Sequence, residues 1–182
     1  MNKIMVTTPE GMSVGNSFLL VPDLKRAEKF PRIGKDGTNL NLVYHIKMAF
    51  EPEKDVKHKE FIDFINSQED MARAAADKKM NFNMVKPKIM KDKDSGKWEP
   101  VDGISTIEFK NRSKIDVFEG GEKIGGDKLV LDSKTVVQVQ AELSSYDYTT
   151  SEGNRLVGIS LRPVRIDVLH RPERKSFFKR MG

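Results

Sequence analysis

In "VDGISTIEFK", Asp102, Glu108 and Lys110 form an Asp…Glu-x-Lys arrangement. Two carboxylates of this kind can hold a divalent cation while the lysine assists an attacking water, which is metal-aided phosphodiester hydrolysis. Alternation along a strand puts Glu108 and Lys110 on one face, but Asp102 is too near in sequence to lie on a neighbouring strand. More residues serve binding than cleavage. In "STIEFKNRSKIDVF", Lys110, Arg112, Lys114 and Phe118 share one parity and Ile107, Phe109, Ile115 and Val117 the other. A row of cations ending in an aromatic suits single-stranded nucleic acid, because cations follow phosphates and rings stack on bases of any sequence.

A second outward set lies in "KTVVQVQAELSSYDY". With Val137, Val139, Ala141 and Leu143 turned to a core, Gln138, Gln140, Glu142, Ser144, Tyr146 and Tyr148 face outward. Lys47 takes the outward parity of "LNLVYHIKMAF", and Trp98 stands in "KDKDSGKWEPVDG", read as a turn-rich hydrophilic loop, near Lys93 and Lys97. Trp98 is placed either to stack on a base or to cap a barrel. The structural reading of the same residues is a small edge cluster of Tyr146 and Tyr148 beside an ordinary solvated face. A protein-interaction module using that tyrosine face and the basic tail is the alternative function.

Other chemistries find little support. The chain has no cysteine, which excludes disulfides, thiol nucleophiles and thiolate zinc sites. His45, His58 and His170 are far apart and lack metal-ligand spacing. "GGEKIGGDK" lacks the Lys-Ser or Lys-Thr and the preceding apolar strand of a phosphate-binding loop, and reads as a turn. No nucleophile elbow is present. We expect no catalysis, no cofactor and no metal.

The elements that must carry these residues are mostly strands. Leu40, Leu42, Tyr44, Ile46, Met48 and Phe50 alternate, predicting a long half-buried strand. In "EKDVKHKEFIDFINSQEDMARAAADKK" the period changes: Val56, Phe61, Phe64, Ile65, Met71, Ala72 and Ala75 predict an amphipathic helix ending near Lys78 and Lys79. "MNFNMVKPKIM" predicts a returning strand. The last strand changes phase, from Val157, Ile159 and Leu161 to Val164, Ile166 and Val168, which predicts a bulge or an edge at Arg162-Pro163. The 182 residues, 37% hydrophobic and 32% charged, suit one soluble domain with loop insertions. We read 1–170 as that domain, with 1–38 partly loop-like, and 171–182 as a basic, flexible tail. The start "MNKIMVTTPEGMSVGN" lacks a signal-peptide core and no apolar run reaches a membrane span, so the expected location is the cytoplasm, that of a host cell if the protein is viral. The net charge of +5 permits a polyanionic partner.

In its order of elements the chain resembles the bacteriophage single-stranded DNA-binding proteins of the OB-fold type. The likeness rests on "NLVYHIKMAF" leading into the helix "KEFIDFINSQEDMARAAADKK", on "VDGISTIEFKNRSKIDVF", and on "GGDKLVLDSKTVVQVQAELSSYDY…RLVGISLRPVRIDVL". It spans roughly residues 38 to 170. The resemblance implies a mainly β fold, a five-stranded Greek-key barrel with one inserted helix and extra hairpins. It also implies coating of single-stranded DNA and contacts to replication proteins such as polymerase and helicase. Carried onto this sequence, the basic and aromatic groove falls on Lys110, Arg112, Lys114, Phe118, Tyr146, Tyr148, Arg155 and Arg162. The chain departs from the family in its last residues, "RPERKSFFKRMG", where such proteins usually carry an acidic tail.

Overall fold

Alternating sequence becomes strand in the computed structural model, which describes residues 3–15, 17–18, 20–22, 35, 42–76, 83–125 and 130–172. In chain order these are β1 (Ile4–Thr7), β2 (Gly11–Ser13), β3 (Ser17–Phe18), β4 (Leu20–Pro22), β5 (Leu42–Phe50), helix α1 (Val56–Ala74), β6 (Lys86–Lys91), β7 (Trp98–Asn111), β8 (Asp116–Glu119), β9 (Glu122–Ile124), β10 (Val130–Leu131), β11 (Val136–Thr149) and β12 (Arg155–His170). The expected mainly β class, with one amphipathic helix among the described residues, is what the chain adopts. The described helix is not long and apolar enough to cross a membrane.

One ten-stranded sheet runs β6-β7-β5-β2-β11-β12-β8-β9, with β1 added to β11 and β4 to β5, while β3 and β10 pair separately. Five strands were expected. The difference has a physical reason: β2 is three residues long, so much of the edges of β5 and β11 would be left with bare backbone groups. β4 and β1 cover those edges. The β8–β9 hairpin turns on Gly120 and Gly121, both at positive φ, the requirement of a two-residue turn between strands of native twist.

The sheet curls around one core. Ile46, Met48 and Phe50 of β5, Ile107 and Phe109 of β7, Val137 to Leu143 at alternate positions of β11, and Ile159, Leu161, Ile166 and Val168 of β12 are all buried in it. Truncating a side chain as enclosed as Phe50 or Phe109 to alanine costs about 3–5 kcal/mol. The long strand thus has the expected core face, except that Leu42 is exposed and Leu40 lies outside the described residues. Among the described residues no ladder joins the sheet's two ends. Where β7 and β12 approach, the link is a side chain: Asn111 Nδ2 donates to the Pro163 carbonyl at 2.8 Å.

Helix α1 starts at Asp55, whose carboxylate accepts from the amides of Lys57 and His58, satisfying donors that a helix start leaves bare. It packs Phe61, Ile62, Ile65 and Ala72 on the core, with Phe61 against Phe50 at 5.4 Å between ring centres. The stripe is rotated from the expected one, since Val56 and Met71 are exposed. Glu69 is buried too. Its carboxylate accepts from the Met84 amide at 2.9 and 3.0 Å, and so ties the start of the returning chain to the helix.

The bulge expected at Arg162-Pro163 is present. Gln140 pairs with Arg165 and Ala141 with Pro163, leaving Val164 as the extra residue that resets the inward face to Ile166 and Val168. The continuous row expected from Lys110 to Phe118 is not. Strand β7 ends at Asn111, whose Oδ1 accepts from the Ser113 amide at 2.9 Å, a local bond that turns the chain. β8 then starts afresh and pairs in parallel with β12. Arg171, the first residue of the expected tail, is held by Glu119 and by the Val130 carbonyl, and residues 173–182 lie outside the described residues, as does most of 16–41.

Candidate nucleic-acid interface

Beside the side-chain link between β7 and β12, the curl of the sheet leaves a groove. One hollow of about 620 Å³ has Lys47, Lys86, Thr106, Glu108 and Lys110 on one wall and Tyr146, Ser160 and Arg162 on the other, and Met84 also lines it. A second hollow, about 240 Å³, is lined by Val43, Lys110, Asn111, Arg112, Ser113 and Arg162. Because the two share Lys110 and Arg162, they form one track.

Strand register explains the first wall. His45 pairs with Lys110, Lys47 with Glu108 and Ala49 with Thr106, while Lys86 pairs with Thr106 from the other side. Paired residues share a face, so the outward side of β6, β7 and β5 presents Lys86, Lys47 and Lys110 around Glu108. Glu108 Oε2 is 3.6 Å from Lys110 Nζ, and its Oε1 is 3.7 Å from His45 Nε2. Partial burial works against the charge of Glu108, yet Lys110, His45, Lys47 and Lys86 together outweigh it and hold the carboxyl below its ordinary value. Burial also lowers the pKa of His45, helped by Lys110 and Lys47 and opposed by Glu108. At neutral pH the glutamate that lines the groove is therefore ionised and the histidine beside it neutral.

The other wall depends on a glycine. Tyr146 pairs with Gly158 across β11 and β12, and a Cβ on Gly158 would fall 2.3 Å from the tyrosine oxygen and 2.4 Å from its Cζ. The ring lies across bare backbone, the packing by which an aromatic covers a strand glycine. Tyr146 stays half-buried and faces the groove.

Of the residues singled out from sequence, Lys47, Lys110, Arg112, Tyr146 and Arg162 meet in this groove. Lys114 is exposed in the turn just beyond it. The side chain of Tyr148 lies outside what is described. Gln138 donates to the Thr8 carbonyl at 2.9 Å and Gln140 pairs with Arg165, both away from the groove. Phe118 is on β8, with the Arg165 guanidinium 4.0 Å above its ring, and that arginine also forks onto Asp167. Arg155 bonds Asp147 at 2.9 and 2.6 Å and the Ala75 carbonyl at 3.3 Å. It has the parity of Val157 and Ile159, opposite to that of Arg162. Trp98 is not in a loop but opens β7, paired with Lys91.

Sequence reasoning missed Lys86 and Met84. Neither has a local signal, because only the pairing of β6 with β7 brings Lys86 to the groove, and Met84 is held by the bond of its amide to Glu69. The three nuclease candidates separate: Asp102 lines another hollow with Pro52, Pro87 and Pro100. Among the described residues no three His, Asp or Glu side chains are grouped to hold a metal ion.

No protein-family model and no curated protein matches the chain. Solved structures do. The chain is similar to gp2.5, a single-stranded DNA binding protein encoded by bacteriophage T7, at 15% identity and a TM-score of 0.62, over 96% of this chain and 91% of that one. It also matches the single-stranded DNA-binding protein from bacteriophage Enc34 in complex with ssDNA, at 18% identity and a TM-score of 0.46, over 92% and 88% of the two chains. The likeness to the T7 protein speaks to the fold, which is the mainly β, OB-type arrangement expected from the sequence.

Proposed function

We propose that the protein binds single-stranded DNA with little sequence preference and coats it during phage replication or recombination, without catalysing a reaction. The observation that carries this is the groove, in which Lys47, Lys86, Lys110, Arg112 and Arg162 line a single track with Tyr146 and only one carboxylate, Glu108, among the described residues. Cations spaced along a groove track a backbone, and an aromatic wall accepts any base. A duplex keeps its bases stacked inward, so such a groove selects single strands. Preferential binding then shifts the melting equilibrium by mass action. The fold likeness to the T7 protein supports the same reading. Residues 1–170 form the binding domain in this proposal, and polymerase or helicase contacts fall to the basic tail.

The test is fluorescence anisotropy with labelled oligo-dT and with a matching duplex, in magnesium, with the DNA checked for cleavage afterwards. Tighter binding to the single strand, with intact DNA, is the expected result. Equal affinity for duplex, or cleavage lost in Glu108→Gln, would overturn the proposal.

A further inference from the structure

Beyond Lys86, strand β6 and the start of β7 leave the curled sheet as a two-stranded arm. One residue of β6, Lys88, stands opposite the four residues 101–104 of β7 between the pairs Pro87–Ser105 and Ile89–Pro100. A bulge of this size bends a ribbon away from its sheet. The arm's tip is tightly built: Asp92 accepts from the Gly96 amide at 2.9 Å, from the Asp94 amide at 2.9 Å and from Ser95 Oγ at 3.1 Å.

The arm exposes what a folded chain ordinarily buries. Trp98 is 69% exposed, and Ile89 and Met90 are each 53% exposed. Register sets Trp98 beside Lys91. From residue 86 to residue 98 there are five lysines against two aspartates, and Asp92 is engaged within the turn. An aromatic ring among cations fits a polyanion carrying stackable bases better than it fits an apolar protein surface.

We propose that this arm is a second contact for the same single strand: as the strand leaves the groove at Lys86, one of its bases stacks on Trp98 and its phosphates meet Lys91, Lys93 and Lys97. The continuity is structural, since Lys86 is both a wall residue of the groove and the first residue of β6. The proposal rests on the single-strand-binding reading. It adds to that reading a longer site, reached only by oligonucleotides that extend past the groove.

Trp98 is the chain's sole tryptophan, so its emission reports on the arm alone. The full chain is titrated with labelled oligo-dT of short and long length, and anisotropy and tryptophan emission are read together. Anisotropy and quenching should saturate together on the long oligonucleotide. Trp98→Ala should weaken the long one about 5- to 150-fold, the range of one lost base stack, with the short one little changed and the thermal midpoint kept; Trp98→Phe should restore most of the loss. Normal binding with unchanged emission would overturn the arm and leave the groove standing. No rise in anisotropy would overturn the reading on which the arm rests. Emission that changes with protein concentration, without DNA, would assign the arm to a second copy of the chain and overturn the proposal.

Discussion

Glu108 is the one carboxylate lining the described groove, and the proposed binding should depend on pH through His45 beside it. Phosphates near His45 favour its protonated form, whereas burial in the unbound protein disfavours it. Binding therefore takes up a proton, and affinity should rise as pH falls from neutral through the mildly acidic range below 6.5. The fold responds in the opposite direction. A histidine whose folded pKa lies below its unfolded value contributes stability that is complete above the unfolded value and lost as pH falls through the folded one. Acidification should then tighten DNA while lowering the thermal midpoint, and His45→Asn should flatten both trends. Anisotropy and thermal melts between pH 7.5 and 5.5 check this; an unchanged slope in His45→Asn would remove His45 from the groove's electrostatics. Lys47, Lys110, Arg112 and Tyr146 were legible from residue type and parity, and Arg162 came with the resemblance. Phe118 was not separable from them, because parity does not reveal that Arg165 engages it first; Arg155 came only with the resemblance, and its parity is that of the inward Val157 and Ile159.

Among the elements, the pairing of β11 with β12 sets the aromatic wall and α1 holds Met84 of the groove's lining. Gly158→Ala places a methyl where the Tyr146 ring lies, so the ring must leave the strand backbone. We expect it to weaken DNA binding at least as far as Tyr146→Phe does and toward Tyr146→Ala, within the roughly 1–3 kcal/mol of one stacking ring. A Gly158→Ala variant that binds normally would show that the ring's seat is irrelevant. Removing the acceptor at Glu69 leaves the Met84 amide without its partner, a loss of about 1–3 kcal/mol when such a donor is buried. Denaturant melts of Glu69→Ala should show a stability loss of that order, and an unchanged midpoint would mean that solvent replaces the carboxylate. The strands β5, β11 and β12, the helix and the bulge near Pro163 were readable because alternation and its slips are local signals. The turn at Asn111 was not, since an asparagine bonding its own backbone leaves the apolar alternation almost intact. Trp98 was misplaced for a related reason: Pro100, Gly103 and the surrounding charges mask a strand that exists only through its partner β6.

For the molecule as a whole, the proposed function follows from incomplete closure. A sheet that sealed β7 to β12 along their length would leave no track between Lys110 and Arg162. The mainly β class with one helix was legible in the sequence, but the groove came only through the resemblance and not from the residues themselves, because its walls come from residues about 50 positions apart that only the curl brings together. The central claim is that a strand's phosphates lie along this track, and salt dependence reads it most directly. Each phosphate neutralised on a single strand contributes roughly 0.7 to the slope of log affinity against log salt. The measurement is that slope for oligo-dT binding, in the natural chain and in Lys110→Ala/Arg162→Ala. The account predicts a steep slope that falls by about 1.4, two such contacts, with the thermal midpoint preserved. An identical slope in the two proteins would contradict it, since the strand would then bind elsewhere.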